Sequence, residues 1–101
     1  MRRLAMALFL LAALPAGSAA AADARNGREI AGRWCAECHA VAEGERGSDA
    51  APSLPQIARD RGADARWLRA WLVAPHPPMP NLDLSRSDVD DLVAYLERLA
   101  R

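Results

Sequence analysis

Two cysteines and a histidine that lie within five residues of one another limit the folds open to this chain more than any other feature. Cys35 and Cys38 are its only cysteines, and His39 follows the second directly. The spacing C-x-x-C-H is the attachment pattern of c-type haem. Each thiol can add to one vinyl group of the porphyrin, and the next residue then falls beneath the iron, where an imidazole can bind it. The motif predicts haem c, one haem iron per chain, covalently attached through Cys35 and Cys38 and ligated by His39.

Three other roles are open to a cysteine pair at this spacing. It could form a structural disulfide in an oxidising compartment, or a thioredoxin-like redox pair, although that redox motif belongs to a βαβ setting. It could also supply half of a zinc site, with His76 and a carboxylate as the other ligands, which is a poor match to structural zinc. We prefer the haem interpretation because an export signal and a helical sequence context accompany the motif.

The first 22 residues have the order of a secretory signal peptide. A positive start at Arg2 and Arg3 precedes an apolar run over Leu4–Leu14, and small residues up to Ala22 offer a cleavage site. An uncleaved membrane anchor is the alternative, but the apolar run falls well short of the roughly 20 residues that a spanning helix needs. We expect a cleaved signal peptide at 1–22, export to the periplasm, and a cytochrome c domain at 23–101 with no stable membrane insertion.

The composition leaves this domain short of large apolar side chains. The single Phe of the chain falls in the expected leader, and one Tyr and three Trp remain. Domains of this size bury a modest share of their surface and often need a cofactor or a cross-link, so a flat apolar cofactor would help to complete the core. Basic and acidic residues number 13 each and no basic stripe stands out, so we expect no nucleic acid among the partners.

The apolar spacing is helical throughout, and no segment alternates apolar and polar residues over the length of a strand. We therefore predict an all-α fold, small and cytochrome c-like, with about four short helices wrapped around one covalently bound haem. Helices are expected before Cys35, from Leu54, over 64–73, and after a capping serine at Ser85 or Ser87. The segment 75–80 is rich in proline and is predicted to be a stiff, irregular loop.

Two side chains of this loop compete to be the second axial ligand of the iron, Met79 and His76. A lone Met usually fills a gap in a core. Prolines on both sides of Met79, however, hold its thioether in a rigid, non-helical setting. We expect His39 and Met79 to be the two metal ligands, and His76 to be an exposed loop residue.

Several other side chains have ordinary explanations. Core packing accounts for the tryptophans, and in so small a haem protein the core is largely the haem pocket; these are Trp34, Trp67 and Trp71. Tyr95 is expected to be structural, with its hydroxyl at the rim of the last helix. Four arginines could pair with haem propionates but are expected to be solvated surface charges: Arg59, Arg61, Arg66 and Arg69.

Over nearly the whole expected domain, the sequence resembles the class I c-type cytochromes, the small single-haem group. Gly27 and Ala31, ahead of the cysteine motif, look like the family's N-terminal helix. The segment 92–96 resembles its C-terminal helix, which crosses the first helix near Gly27 and Tyr95. Pro78-Met79-Pro80 looks like the family's Met loop.

The same resemblance implies roles for two further residues. Pro52-Ser53-Leu54 is similar to the family's P-x-L segment, so the Pro52 carbonyl would accept a hydrogen bond from His39 and orient it. Ala51 departs from the pattern, since many members have Gly before the Pro. The helix around Leu68 resembles the one that lines the pocket. The expected cofactor-binding residues are Cys35, Cys38, His39, Pro52, Trp67 and Met79.

The resemblance implies a periplasmic monohaem c-type cytochrome that shuttles single electrons between redox partner proteins and is not an enzyme. Iron with two protein ligands can change oxidation state but has no open position for a substrate. Its redox partners would bind through a small, transient interface. Two alternatives stay open: a haem-bearing subunit of a larger oxidoreductase, and a ligand-binding or sensor haem protein if Met79 is not an iron ligand.

Overall fold

The structure of the chain is a computed structural model. It describes residue 12 and residues 21–45, 51–74 and 76–101. The expected signal peptide therefore lies almost wholly outside the described residues. In the part of the chain that is described, no helix has both the length and the apolar character needed to cross a bilayer.

Four helices make up the described part of the chain. They are α1 (Ala24–Trp34), α2 (Leu54–Arg61), α3 (Ala65–Val73) and α4 (Arg86–Leu99). Within the same ranges the strand-like pairing is confined to an isolated antiparallel bridge between His76 and Met79. The all-α prediction and the four predicted helices are confirmed.

Each helix begins at a residue whose side chain accepts hydrogen bonds from the first backbone amides. Asp23, Ser53 and Asp64 play this part for α1, α2 and α3. Ser85 caps α4 and forms a capping box with Asp88, which settles the choice between the two predicted serines. These caps set where the helices start, and so where the loops between them must run.

α4 is the centre of the fold, because it contacts each of the other three helices. Its buried face consists of Val89, Leu92, Val93, Tyr95 and Leu96. Packed against this face are Ile30 and Ala31 of α1, Leu54 and Ala58 of α2, and Leu68 of α3. This face of α4 is therefore the centre of the protein core.

α1 and α4 cross in close contact at Gly27. A Cβ atom at this position would lie 2.0 Å from the backbone oxygen of Asp91, so the approach requires glycine. Beside the crossing, the Asp91 carboxylate accepts hydrogen bonds from Asn26 Nδ2 at 2.7 Å and from the backbone N–H of Asp23 at 2.8 Å. These two bonds, that of Asn26 above all, hold the pKa of Asp91 below its usual range.

Tyr95 does not lie where the sequence led us to expect. Its side chain is buried, and its hydroxyl donates to the backbone oxygen of Val41 at 2.5 Å instead of reaching the helix rim. Burial raises the pKa of Tyr95. The bond ties α4 to the chain segment two residues after His39.

Candidate functional site

The cysteine motif starts where α1 ends. Cys35 caps the C-terminus of α1, and its backbone N–H donates to Ala31 at 2.9 Å. The chain then turns, so that the amides of Cys38 and His39 both donate to the Cys35 carbonyl, at 3.2 and 2.9 Å. This single turn brings both cysteines and His39 to the wall of one cavity.

The two cysteines differ in their surroundings. Cys35 is almost fully buried, whereas Cys38 is exposed. Burial raises the pKa of the Cys35 thiol, so an uncharged sulfur, such as that of a thioether, suits this position. No group of three His, Cys, Asp or Glu side chains able to hold a metal ion occurs among the residues that the structure describes.

His39 is held by the backbone at Pro52. Its Nδ1 lies 2.5 Å from the Pro52 carbonyl oxygen. Because a carbonyl can only accept, we assign the proton to Nδ1, which leaves the lone pair of Nε2 available to a metal. Metal-bound histidines typically make this kind of hydrogen bond through their second nitrogen. Pro52 thus lies where the resemblance placed it.

A cavity of about 480 Å³ opens between the cysteine motif, α3 and the Met79 loop. Pockets that hold small molecules and cofactors are roughly 300–1,000 Å³ and mostly apolar. The lining here is mainly apolar, with Glu37 as its one carboxylate among the described residues. It includes all the residues expected to bind the cofactor: Cys35, Cys38, His39, Pro52, Trp67 and Met79. These residues fit a flat, apolar group attached through sulfur.

The loop that carries Met79 folds back on itself. The backbone N–H of Met79 donates to the His76 carbonyl at 3.1 Å, and the intervening Pro77–Pro78 peptide is cis. Met79 is half-buried and lines the cavity with its neighbouring prolines. Within the described residues 76–80 there is no helix, as predicted.

The expectation that His76 is an exposed loop residue is wrong. Its ring is half-buried and stacks on Trp71, with ring centroids 3.9 Å apart. Its Nδ1 lies 2.7 Å from the Ala74 carbonyl oxygen, and its Nε2 lies 2.8 Å from Met79 Sδ. The reason is that the proline loop turns back and presses the imidazole against the end of α3.

Two of the three tryptophans stay partly exposed at the cavity and do not lie among the buried residues. Trp34 is 59 % exposed and Trp71 is 44 % exposed, and both line the cavity. Trp67 is half-buried and stacks on Trp71 with centroids 5.3 Å apart, while the guanidinium of Arg61 lies 4.5 Å above the Trp67 ring. All three rings line the cavity, and Trp67 also packs against the buried core, so the space beside them is one that a cofactor could fill.

The arginines behave as the sequence led us to expect. Arg59 pairs with Glu43 at 3.3 Å, and Arg69 pairs with Asp90. None of the four candidate arginines is among the described residues that line the cavity.

Ile57 and Leu82 are apolar residues of the cavity wall that were not expected there from the sequence. Ile57 lies on α2, one turn after the buried Leu54. Leu82 follows Met79 by three residues. Their proximity to Pro52 and to the Met loop was the available signal, but helical spacing alone does not tell a cavity wall from a core.

Comparisons with known proteins agree with this geometry. The family described as cytochrome C oxidase, cbb3-type, subunit III matches residues 22–96. The chain is also 42 % identical over 93 residues to cytochrome c-552 of Bradyrhizobium diazoefficiens, an alignment that covers 91 % of this chain and 89 % of that protein. No solved structure matches the chain.

The cofactor follows from these matches and from the motif. Cytochromes of the c type carry covalently bound haem, and Cys35-Ala36-Glu37-Cys38-His39 fits their attachment pattern. The cofactor of this protein is therefore haem c, one per chain. The chain belongs to the c-type cytochromes, in the family of cbb3-type oxidase subunit III, and is a monohaem electron-transfer protein.

Proposed function

We propose that this protein is a periplasmic electron carrier whose haem is attached at Cys35 and Cys38 and ligated by His39 and Met79. One observation carries the proposal: Cys35, Cys38, His39 and Met79 all line the same apolar cavity. The haem supplies an iron that takes up and releases one electron. The ligand pair and its surroundings are the contribution of this chain.

Hydrogen bonds to backbone carbonyl groups position both proposed ligands. His39 is oriented by the Pro52 carbonyl, 2.5 Å from Nδ1, and Met79 is fixed by the bond of its amide to His76. Ligands held in this way move little when the iron changes oxidation state, and together they leave no position for a substrate. The arrangement favours a carrier that is not an enzyme.

Partner proteins would approach the rim of the cavity. Trp34 and Trp71 present apolar surface there, since both are exposed. A redox partner needs only a brief encounter, and weak redox complexes bury small interfaces. We therefore propose transient docking beside the cavity.

We also propose export, because residues 1–22 have the positive start, apolar run and small residues of a secretory signal peptide. The fold is compatible with cleavage after Ala22, because α1 begins at Ala24 and its cap is Asp23. The mass of the native protein tests this proposal and should equal that of 23–101 plus one haem. An intact Met1 on a membrane-bound form would instead support an uncleaved anchor.

The absorption spectrum tests the ligand pair. Oxidised wild-type protein should show the weak long-wavelength band of sulfur-to-iron charge transfer. Met79→Ala should abolish this band and lower the reduction potential, because a thioether favours ferrous iron. His76→Ala is the control and should keep the band. A band that is absent from the wild type, or that survives in Met79→Ala, would refute ligation by Met79.

A second candidate function is a haem-bearing subunit of a larger oxidoreductase. The description of the matching family, which names an oxidase subunit, favours it. The haem site would be the same, and only the permanence of the partner would differ. Purification from native cells separates the two: a carrier is recovered alone in the soluble fraction, whereas a subunit copurifies with a stable complex.

A further inference from the structure

We propose that His76 is a reserve iron ligand, which binds the haem iron when Met79 does not. The inference rests on the proposed ligation by His39 and Met79. It concerns a feature of the cavity to which this ligation gives no role, an imidazole whose Nε2 touches the ligand sulfur.

The two histidines of the chain share one arrangement. His39 Nδ1 lies 2.5 Å from the carbonyl oxygen of Pro52, and His76 Nδ1 lies 2.7 Å from that of Ala74. Each carbonyl fixes the proton on Nδ1 and leaves Nε2 with its lone pair. A backbone carbonyl on the second nitrogen is the usual support of a metal-binding histidine. Both rings line the same cavity, so His76 carries the same support as the proposed ligand.

The contact between His76 and Met79 brings two possible ligand atoms together. Nε2 lies 2.8 Å from Sδ. With the proton on Nδ1, Nε2 and Sδ each keep a lone pair that a metal could take. A nitrogen that took the place of the sulfur would have to move by about that same 2.8 Å. A side-chain rotation or a small shift of the loop covers such a distance.

The surroundings of His76 guide such a movement. The ring stacks on Trp71 at an interplanar angle of 28°, so it can slide along a flat aromatic face. The backbone of His76 is paired with that of Met79 through the bond from the Met79 amide, 3.1 Å long. A rotation of the Met79 side chain can displace the sulfur without breaking this backbone bond, and the imidazole then stays at the cavity.

The exchange needs no other reactant. Met79 Sδ would give up its bond to the iron, and His76 Nε2 would form one in its place. Nδ1 keeps its proton on the Ala74 carbonyl, so no proton or electron is transferred. Imidazole gives a lower reduction potential than a thioether. His76 would thus keep the iron closed to external ligands, at a lower potential, whenever the sulfur is lost.

Three variants of the haem-loaded protein test this role. Met79→Ala should lose the sulfur-to-iron band yet remain low-spin by electron paramagnetic resonance, because His76 replaces the sulfur. Met79→Ala with His76→Ala should become high-spin. Its reduced form should bind carbon monoxide at least about tenfold more tightly than that of Met79→Ala, a difference of about 1.4 kcal/mol. His76→Ala alone should keep the wild-type band.

The outcomes separate this inference from the proposed function. If Met79→Ala is as high-spin as the double variant and binds carbon monoxide equally well, the reserve role is overturned while ligation by Met79 stands. If the wild type lacks the sulfur band and His76→Ala turns it high-spin, His76 is the regular ligand and both proposals fail. Far-UV circular dichroism checks that each variant is folded, and Met79→Ser replaces Met79→Ala if the alanine variant is not.

Discussion

The crossing of α1 and α4 around Gly27 and the cavity between α3 and residues 76–82 differ in how far protein atoms cover their apolar side chains. In the crossing region, Ile30, Leu92 and Leu96 are 4 %, 2 % and 4 % exposed. In the cavity region, α3 buries only Leu68, and Trp71 stays 44 % exposed. The protein completes the first region by itself, whereas the second has apolar surface that a haem can cover.

This difference in cover shows how a short chain can both keep a stable fold and bind a large cofactor. Burial of apolar surface contributes about 25 cal/mol per Å², and the crossing region already gains it without haem. The cavity region gains it only when the haem lies against Trp34 and Trp71. Damage to the crossing should therefore lower the stability of the whole fold, and loss of haem should loosen the cavity side first.

Removal of both thioether positions should have the largest effect. In the variant Cys35→Ser with Cys38→Ser, acidic acetone should extract all of the haem, whereas the wild type should retain it. The amides of α3 should then exchange hydrogen much faster, and those of α1 and α4 should keep more of their protection. Equal protection of α3 with and without haem would show that the cavity region does not depend on the cofactor.

Gly27→Ala should have the next largest effect, in the other region. The added Cβ would lie 2.0 Å from the Asp91 backbone oxygen, so the helices must separate. We expect the free energy of unfolding to fall by about 3 kcal/mol or more. Gly32→Ala is the matched control on the same helix, where nothing lies within 4 Å of the new Cβ; it should raise stability by up to about 1 kcal/mol. Similar results in denaturant unfolding of the two variants would disprove the close crossing.

Tyr95→Phe should cost about 1–3 kcal/mol in the same unfolding measurement, because the Val41 carbonyl loses its buried donor. This bond joins the crossing region to the segment that follows His39. The charge-transfer band of the oxidised protein should nevertheless persist, since Pro52 orients His39 independently. A loss of the band in Tyr95→Phe would mean that the two regions are more tightly coupled than we propose.

The smallest expected effect is on the pH dependence of stability that the Asp91 carboxyl contributes. Its pKa is lowered in the folded protein by the Asn26 side chain and the Asp23 amide. Such a carboxyl contributes stability above its unfolded pKa and loses that contribution as the pH falls through the folded value. Asp91→Asn should therefore be less stable than the wild type near neutral pH, with the difference shrinking in acid. Glu29 is exposed on α1, so Glu29→Gln is the control and its free energy of unfolding should depend on pH as in the wild type. If the stability of Asp91→Asn also depends on pH as in the wild type, the Asp91 carboxylate does not stabilise the fold in this way.

The parts of the fold that could be predicted are those encoded by neighbours in sequence. The capping box of Ser85 and Asp88 involves residues three apart, and the end of α3 follows from the proline after Ala74. The turn from Cys35 to His39 is likewise local. For such features the spacing of residues already fixes the geometry.

The features that could not be predicted from the sequence depend on which surfaces the loops bring together. Proline content predicts that residues 76–80 are irregular, but not that their turn presses His76 onto Trp71. The apolar pattern of α3 predicts that Trp71 needs cover, but not whether protein or cofactor supplies it. Trp34 poses the same problem at the end of α1, where its exposed ring lines the cavity.

We propose above all that the iron has two protein ligands and no open position. Titration of the reduced, haem-loaded wild-type protein with carbon monoxide is the sharpest test of this proposal. We expect the absorption spectrum of the reduced protein to stay unchanged as carbon monoxide is added. Formation of a carbon monoxide adduct with every haem would contradict it, and would make the protein a ligand-binding or sensor haem protein.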